Sequence, residues 1–218
     1  MLTTGYFALA ILMLTTVVHA SELGDCVERV EPQIAVEACT KLVQSPGIND
    51  RQLATIFNNR GNAYAAAHDP KNAIADYSMA LALDPAYARA FYNRGSTYLQ
   101  QGRFDLAISD LGQAIALDPG LTQAIINKGL ARLEMSRFAD AIDDFTAAIA
   151  LDPSSAPSYN NRGVALKRKG ELDRVLADFD TAIQLDPIYG TALNNGGEAM
   201  GPRVPCALSN PFQVLLRP

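Results

Sequence analysis

The sequence predicts an all-α chain, an α–α superhelix of antiparallel helix pairs, and three residue series at one spacing carry that expectation. Leu83-Asp84-Pro85 returns as Leu117-Asp118-Pro119, Leu151-Asp152-Pro153 and Leu185-Asp186-Pro187, each 34 residues after the last. Gly61, Gly95, Gly129 and Gly163 keep the same interval, as do Ala73, Ala107 and Ala141, with Val175 in the fourth place. Tyr77, Leu111, Phe145 and Phe179 form the third series, followed three residues later by Ala80, Ala114, Ala148 and Ala182. Self-similarity at such a period marks a chain whose neighbouring segments bury one another's apolar faces.

The first element is an address. Residues 1–20 contain no Asp, Glu, Lys or Arg, and their apolar core from Tyr6 to Val18 has the size of a signal-peptide core rather than of a membrane span. Val18 and Ala20 flank His19, and Ser21-Glu22 follows, so cleavage is expected between Ala20 and Ser21. An uncleaved N-terminal anchor is the alternative. Export, with a periplasmic location, is the expectation. The net charge of -5 survives removal of this uncharged segment. His19 leaves with it, so His68, a solvated turn residue by its setting, remains as the single histidine.

Residues 21–53 read as a capping partial repeat. Ala35 to Val43 carries Ala35, Ala38, Cys39 and Leu42 on one helix face, and Pro46-Gly47 and Asn49-Asp50 then break the helix. Terminal units of a stack depart from the consensus because one of their faces meets water. Cys26 and Cys39 are either bridged, as an oxidising compartment allows, or two buried thiols.

Four complete repeats follow, at 54–87, 88–121, 122–155 and 156–189. Asp84-Pro85 and its copies read as a helix N-cap followed by proline at the first helical position. The glycines fall inside the first helix, where each costs about 1 kcal/mol relative to alanine. A helix accepts that repeatedly where a neighbour approaches closely, and Ala73, Ala107 and Ala141 are expected to face them, small against small. Phe57, Phe91, Ile125 and Tyr159 fill the remaining space. Asp69-Pro70, Gly102-Arg103 and Lys169-Gly170 supply turns between helices. A basic residue before each glycine (Arg60, Arg94, Lys128, Arg162) is set against an acid in the second helix (Asp76, Asp110, Asp144, Asp178). Read as exposed pairs, these contribute only about 0–1 kcal/mol each.

The period and residue pattern resemble the tetratricopeptide repeat, a 34-residue helix-turn-helix unit, and exported bacterial proteins built from it. The resemblance implies an extended concave surface lined by first helices. Carried onto this sequence, that groove comprises Thr55, Asn58 and Asn62; Arg89, Tyr92 and Ser96; Gln123, Ile126 and Leu130; and Pro157, Asn160, Val164 and Lys167. The recurring Asn59, Asn93, Asn127, Asn161 and Asn195 serve either inter-helix packing or ligand contact. Chaperone adaptors of this family grip a C-terminal carboxylate with paired amide and basic groups. Asn62 and Asn93 match the amides of that clamp, but Asn58, Gln123 and Asn127 stand where cations are expected. A register slipped by one repeat gives Tyr92, Ser96, Asn127, Pro157 and Asn161, a poorer match.

A fifth repeat begins and stops. Ala192-Leu193-Asn194-Asn195 echoes Ser158-Tyr159-Asn160-Asn161, and Gly197 keeps the period, but Gly196 replaces the arginine and Gly201-Pro202 ends any helix. Residues 190–201 are thus an aborted repeat and 202–218 a Pro-rich divergent tail with four of the twelve prolines. The tail covers the last repeat with Leu208, Phe212, Val214, Leu215 and Leu216, or the reading frame changes near Gly196. On either account Cys206 is unpaired.

Composition narrows the function. With 18 Lys and Arg against 23 Asp and Glu, no basic surface for nucleic acid is expected. Two histidines and three cysteines supply neither a His-rich metal site nor a disulfide scaffold, and a CxxC pair is absent. Nor is there a phosphate loop, an HExxH or a GxSxG. Catalysis needs groups converging on one atom, whereas a regular repeat spreads them along a stack. The sequence is therefore read as non-enzymatic and cofactor-free, a scaffold for a protein or peptide partner. The alternatives are a positioning subunit of an envelope enzyme or of a polysaccharide or secretion complex, and a frameshifted product with little function.

Overall fold

In a computed structural model, the protein is described at Cys26 and over residues 31–188. The expected signal cleavage at Ala20-Ser21, the aborted fifth repeat with Asn195, the tail and Cys206 lie outside the described residues. Those residues contain nine helices and no strand. They are α1 (Pro32–Val43), α2 (Asp50–Ala66), α3 (Pro70–Leu83), α4 (Ala88–Gln100), α5 (Phe104–Leu117), α6 (Thr122–Glu134), α7 (Phe138–Leu151), α8 (Ala156–Lys169) and α9 (Leu172–Leu185). The chain forms two compact units, Met1–Asn127 and Lys128–Pro218, with the boundary inside α6. None of the described helices is long and apolar enough to cross a membrane.

In the first unit α1 packs against α2. Ala35, Ala38, Cys39 and Leu42 are all buried, as their spacing on one face predicts. A disulfide joins Cys39 to the buried Cys26, and both pack with Ala38, Leu42 and Ile56 of α2. This resolves the choice between bridge and free thiols. Asn49, expected only to break the preceding helix, also starts the next one. Its side chain accepts from the Gln52 amide at 3.0 Å while the Gln52 side chain accepts from the Asn49 amide at 3.1 Å, a reciprocal capping box. Helices α2 to α4 then close around Ala54, Phe57, Ala80, Leu81 and Ala90. In the second unit Ala156 of α8 packs on Ala182 of α9, with Tyr159 and Ile183 at the margin.

Two expectations about local structure are corrected. Asp84, Asp118 and Asp152 do not cap the following first helices, and Asp186 repeats their geometry. They end the second helices, and each carboxylate accepts from the amide two residues on, at Ala86, Gly120, Ser154 and Ile188 (3.0–3.2 Å). The proline that follows sits in this turn, and α4 begins only at Ala88. The cap-plus-proline arrangement does occur at Asp69-Pro70, where Asp69 accepts from the Asn72 amide at 3.2 Å.

The second correction concerns the glycines, which meet large residues and not the small alanines. A Cβ on Gly61, Gly129 or Gly163 would lie 2.6, 2.7 and 2.6 Å from the ring of Tyr77, Phe145 or Phe179. One on Gly95 would lie 2.9 Å from Leu111 Cγ. The glycine series and the Tyr77, Leu111, Phe145 and Phe179 series are therefore one feature: a large apolar side chain of the second helix fills the notch left by the missing side chain.

The turns between first and second helices share a further requirement. Gly102 and Gly170 take left-handed conformations (φ 71° and 90°), and at the same register so do His68 (57°) and Ser136 (59°). His68 is exposed, as expected.

Candidate functional site

The charge series is the first thing to place, because it decides which cations are free to meet a partner. Arg60 donates from Nε and Nη2 to both oxygens of Asp76, at 2.7 and 2.8 Å. Arg94 does the same to Asp110 (2.7 and 3.0 Å), and Arg162 to Asp178 (2.8 and 2.7 Å). The aspartates are 5–6% exposed, so these are not the surface pairs expected from the sequence. In each case the third nitrogen reaches a hydroxyl on the preceding second helix: Thr40 at 3.1 Å, Ser78 at 3.0 Å and Thr146 at 3.3 Å. The guanidinium also lies over the ring three residues earlier, Phe57, Phe91 or Tyr159, 5.3–5.8 Å from its centre. Each arginine thereby ties three helices together. Its hydrogen bond to aspartate raises the guanidinium pKa further, against the opposing effect of burial.

The third repeat is built differently. Lys128 reaches Asp144 at one point, 3.2 Å away, and Arg132 supplies a second cation at 2.7 Å. Burial raises the Asp144 pKa, with Lys128 and Arg132 opposing it. Arg132 Nε is buried without a partner. Ile125 stands where the other repeats carry an aromatic ring.

With these cations held among the helices, the faces of α2, α4 and the start of α6 carry amides and hydroxyls beside the exposed Arg51 and Arg89. Asn93 Nδ2 donates to Asn58 Oδ1 at 2.9 Å, joining α4 to α2. Asn127 Nδ2 donates to Ser96 Oγ at 2.9 Å, joining α6 to α4. Asn62 Oδ1 accepts from the Tyr77 hydroxyl at 2.8 Å, and burial raises that phenol's pKa, so Tyr77 stays neutral as a donor. The Asn93 and Asn127 positions thus perform inter-helix pairing in this unit while remaining only half buried.

Of the groove residues expected in the first unit, Thr55, Asn62, Arg89 and Gln123 are exposed and Tyr92 and Ser96 are half buried. Asn58 and Ile126 are buried, at 3% and 5% exposure, Asn58 where Asn93 of the neighbouring first helix donates to it. In the second unit Pro157 is exposed, Leu130, Val164 and Lys167 are half buried, and Asn160 is buried. The register therefore places a face but does not say which of its members a partner can touch. Sequence reasoning missed Thr40, Ser78 and Thr146 as partners of the arginines; the shared register of Ser78 and Thr146 was the available signal. Among the described residues no group of three His, Cys, Asp or Glu stands close enough to hold a metal ion.

A search of the curated proteins matched none of them. Among solved structures, a crystal structure of MamA superposes with a TM-score of 0.66 at 25% identity, covering 72% of this chain and 89% of that one. MamA from Desulfovibrio magneticus RS-1, residues 41 to the end, gives 0.70 at 21% identity over 79% and 94%, a likeness of fold alone. The first tetratricopeptide repeat domain of Spaghetti (RPAP3), bound to the HSP90 peptide SRMEEVD, gives 0.53 at 27% identity over 57% and 97%. The sequence profile of the tetratricopeptide repeat matches residues 58–122 and 126–188, more than half of the chain. With the helix pairs, the glycine notches and this match together, the chain belongs to the tetratricopeptide repeat family, with its all-α solenoid fold.

Proposed function

We propose that the protein is an exported, periplasmic interaction scaffold that holds a peptide or a partner helix against the exposed faces of its first helices. One observation carries this reading. Asn58 with Asn93, and Ser96 with Asn127, fix the faces of α2, α4 and α6 side by side, and leave Thr55, Asn62 and Gln123 exposed beside them. Stacked helix pairs offer surfaces of this kind to partners, and the related Spaghetti domain holds an HSP90 peptide. The regular acids serve as turn residues or partners of arginine, which supports binding over catalysis. Export is supported by the uncharged segment before Ser21 and by the Cys26–Cys39 disulfide, a bond that persists in oxidising compartments.

The test is site-specific photo-crosslinking in the source cell, with a benzophenone amino acid at Tyr92 and, as a control, at Met79, which is exposed on a second helix. A discrete protein adduct from Tyr92 in the envelope fraction, and none from Met79, is the expected result. Adducts from Met79 alone, or from neither position, would overturn the binding face. Recovery of the full-length protein in the cytosol would overturn export.

A further inference from the structure

Helix α1 has the register of a second helix. Thr40 accepts from Arg60 of α2 as Ser78 accepts from Arg94 of α4 and Thr146 from Arg162 of α8. Aligned on these hydroxyls, Ala35 matches the buried Ala73 and Ala141, Ala38 matches Asp76 and Asp144, and Cys39 matches Tyr77 and Phe145. Two fasteners of the repeats are therefore missing from α1. Ala38 can hold no first-helix cation, and a cysteine is too small to fill a glycine notch. Cys39 is nevertheless as fully buried as Phe145, and its bond to Cys26 completes its surroundings.

Little else holds α1 in place. It has twelve residues, a length at which an isolated helix is marginal in water. Glu31 makes no side-chain cap bond, and the first turn carries no acid. The buried face is short of bulk, with Ala35 and Val36 against Ala63, and Ala38, Cys39 and Leu42 against Ile56. Packing of that size offsets little of the entropy lost on ordering the helix.

We propose that the Cys26–Cys39 bond replaces the filled notch and the arginine–aspartate pair as the fastener of α1, and that the protein is a client of a thiol–disulfide oxidoreductase that makes this bond. One cysteine thiolate attacks the donor's disulfide, and the other displaces the donor from the mixed disulfide. Two thiols are oxidised, and the donor leaves as a dithiol with their two protons. Exchange needs access to sulfur, yet in the seated helix Cys39 and Cys26 are 0% and 4% exposed. The bond therefore forms while α1 is unseated, and seating seals it. The identity of the oxidant rests on the exported location proposed above; the fastener does not.

The test uses the exported protein carrying Cys206→Ser, so that a maleimide reads Cys26 and Cys39 alone. In excess dithiothreitol the oxidised protein is expected to take no label in buffer and a label at both cysteines in urea. Reduced in urea and refolded without oxidant, it should be labelled at both, while α8 and α9 keep their protection from hydrogen exchange. Amides of residues 35–43 should then exchange about a hundredfold faster than in the oxidised protein, the effect of a cross-link closing a loop of this length. Oxidised glutathione, added to the refolded protein as donor, should restore the bond and the protection together. Cys26→Ser/Cys39→Ser gives the same exchange reading if the reduced chain aggregates. Labelling of the oxidised protein in buffer, shielded thiols in the refolded reduced protein, or unchanged exchange over residues 35–43 would each overturn the fastener. In acid-quenched source cells the bridged form is expected in the envelope fraction, and free thiols there would overturn the client relation alone. Recovery of the protein in the cytosol would overturn the exported location and the donor with it, while the purified protein decides the fastener.

Discussion

Removing the Arg94–Asp110 pair distinguishes a structural bolt from a surface ornament. Exposed pairs contribute about 0–1 kcal/mol, whereas stripping one partner from a buried pair costs about 3–5 kcal/mol. The side chains here are 19% and 9% exposed, and the pair is bidentate, with a third bond to Ser78. That places it nearer the buried limit. Arg94→Met leaves Asp110 unpaired and is expected to cost about 3 kcal/mol; Asp110→Leu leaves the guanidinium with Ser78 alone and costs about 2 kcal/mol. The double variant removes both charges, so a double-mutant cycle in urea should return a coupling of about 2 kcal/mol. The coupling should change little between low salt and 0.5 M salt, because partly buried charges are weakly screened. A coupling below about 0.5 kcal/mol, or one halved by salt, would refute the assignment and return the pair to the surface class.

Gly163→Ala sets a methyl against Phe179, which is fully buried, so overpacking of about 2–3 kcal/mol outweighs about 1 kcal/mol of helix propensity. Gly95→Ala, whose methyl would lie 2.9 Å from Leu111 Cγ, should cost a similar amount in urea melts, and a neutral effect at either glycine would show that the notch has room to spare. His68→Gly and Ser136→Gly relieve left-handed strain and should each raise stability by about 0.5 kcal/mol, net of the unfolded-state entropy of glycine; a loss at either would show the turn to be unstrained. Lys128→Arg offers Asp144 a second bond and should lower its carboxyl pKa by NMR while adding about 1 kcal/mol at neutral pH. The sign follows from the raised value. Ionising Asp144 costs more folded than unfolded, a penalty absent below its unfolded pKa of about 3.9 and complete above the folded value. The gain from arginine should therefore vanish as pH falls below about 4. A gain that persists there would show that it is not electrostatic.

The sequence by itself determined the architecture and the period. A 34-residue recurrence admits few physical solutions, since each repeat must present the same faces to its neighbours; hence Ala35, Ala38, Cys39 and Leu42 read correctly as one buried face. It also named both members of the recurring charge pairs, though not Arg132, the second cation on Asp144. What it did not carry was distance and burial. Gly61 was expected to face an alanine because both are small, yet shape complementarity pairs it with the ring of Tyr77. Asp84 has the sequence of an N-cap and the geometry of a turn, because Pro85 and two further residues separate it from α4. Arg60 and Arg89 are both arginines on first helices, and recurrence at Arg94, Lys128 and Arg162 sets Arg60 apart, but it carries no depth. Only the tertiary structure supplies that, by placing a buried Asp76 and Thr40 against Arg60 and leaving Arg89 to solvent, since the partners of a side chain come from residues far along the chain that packing alone brings near.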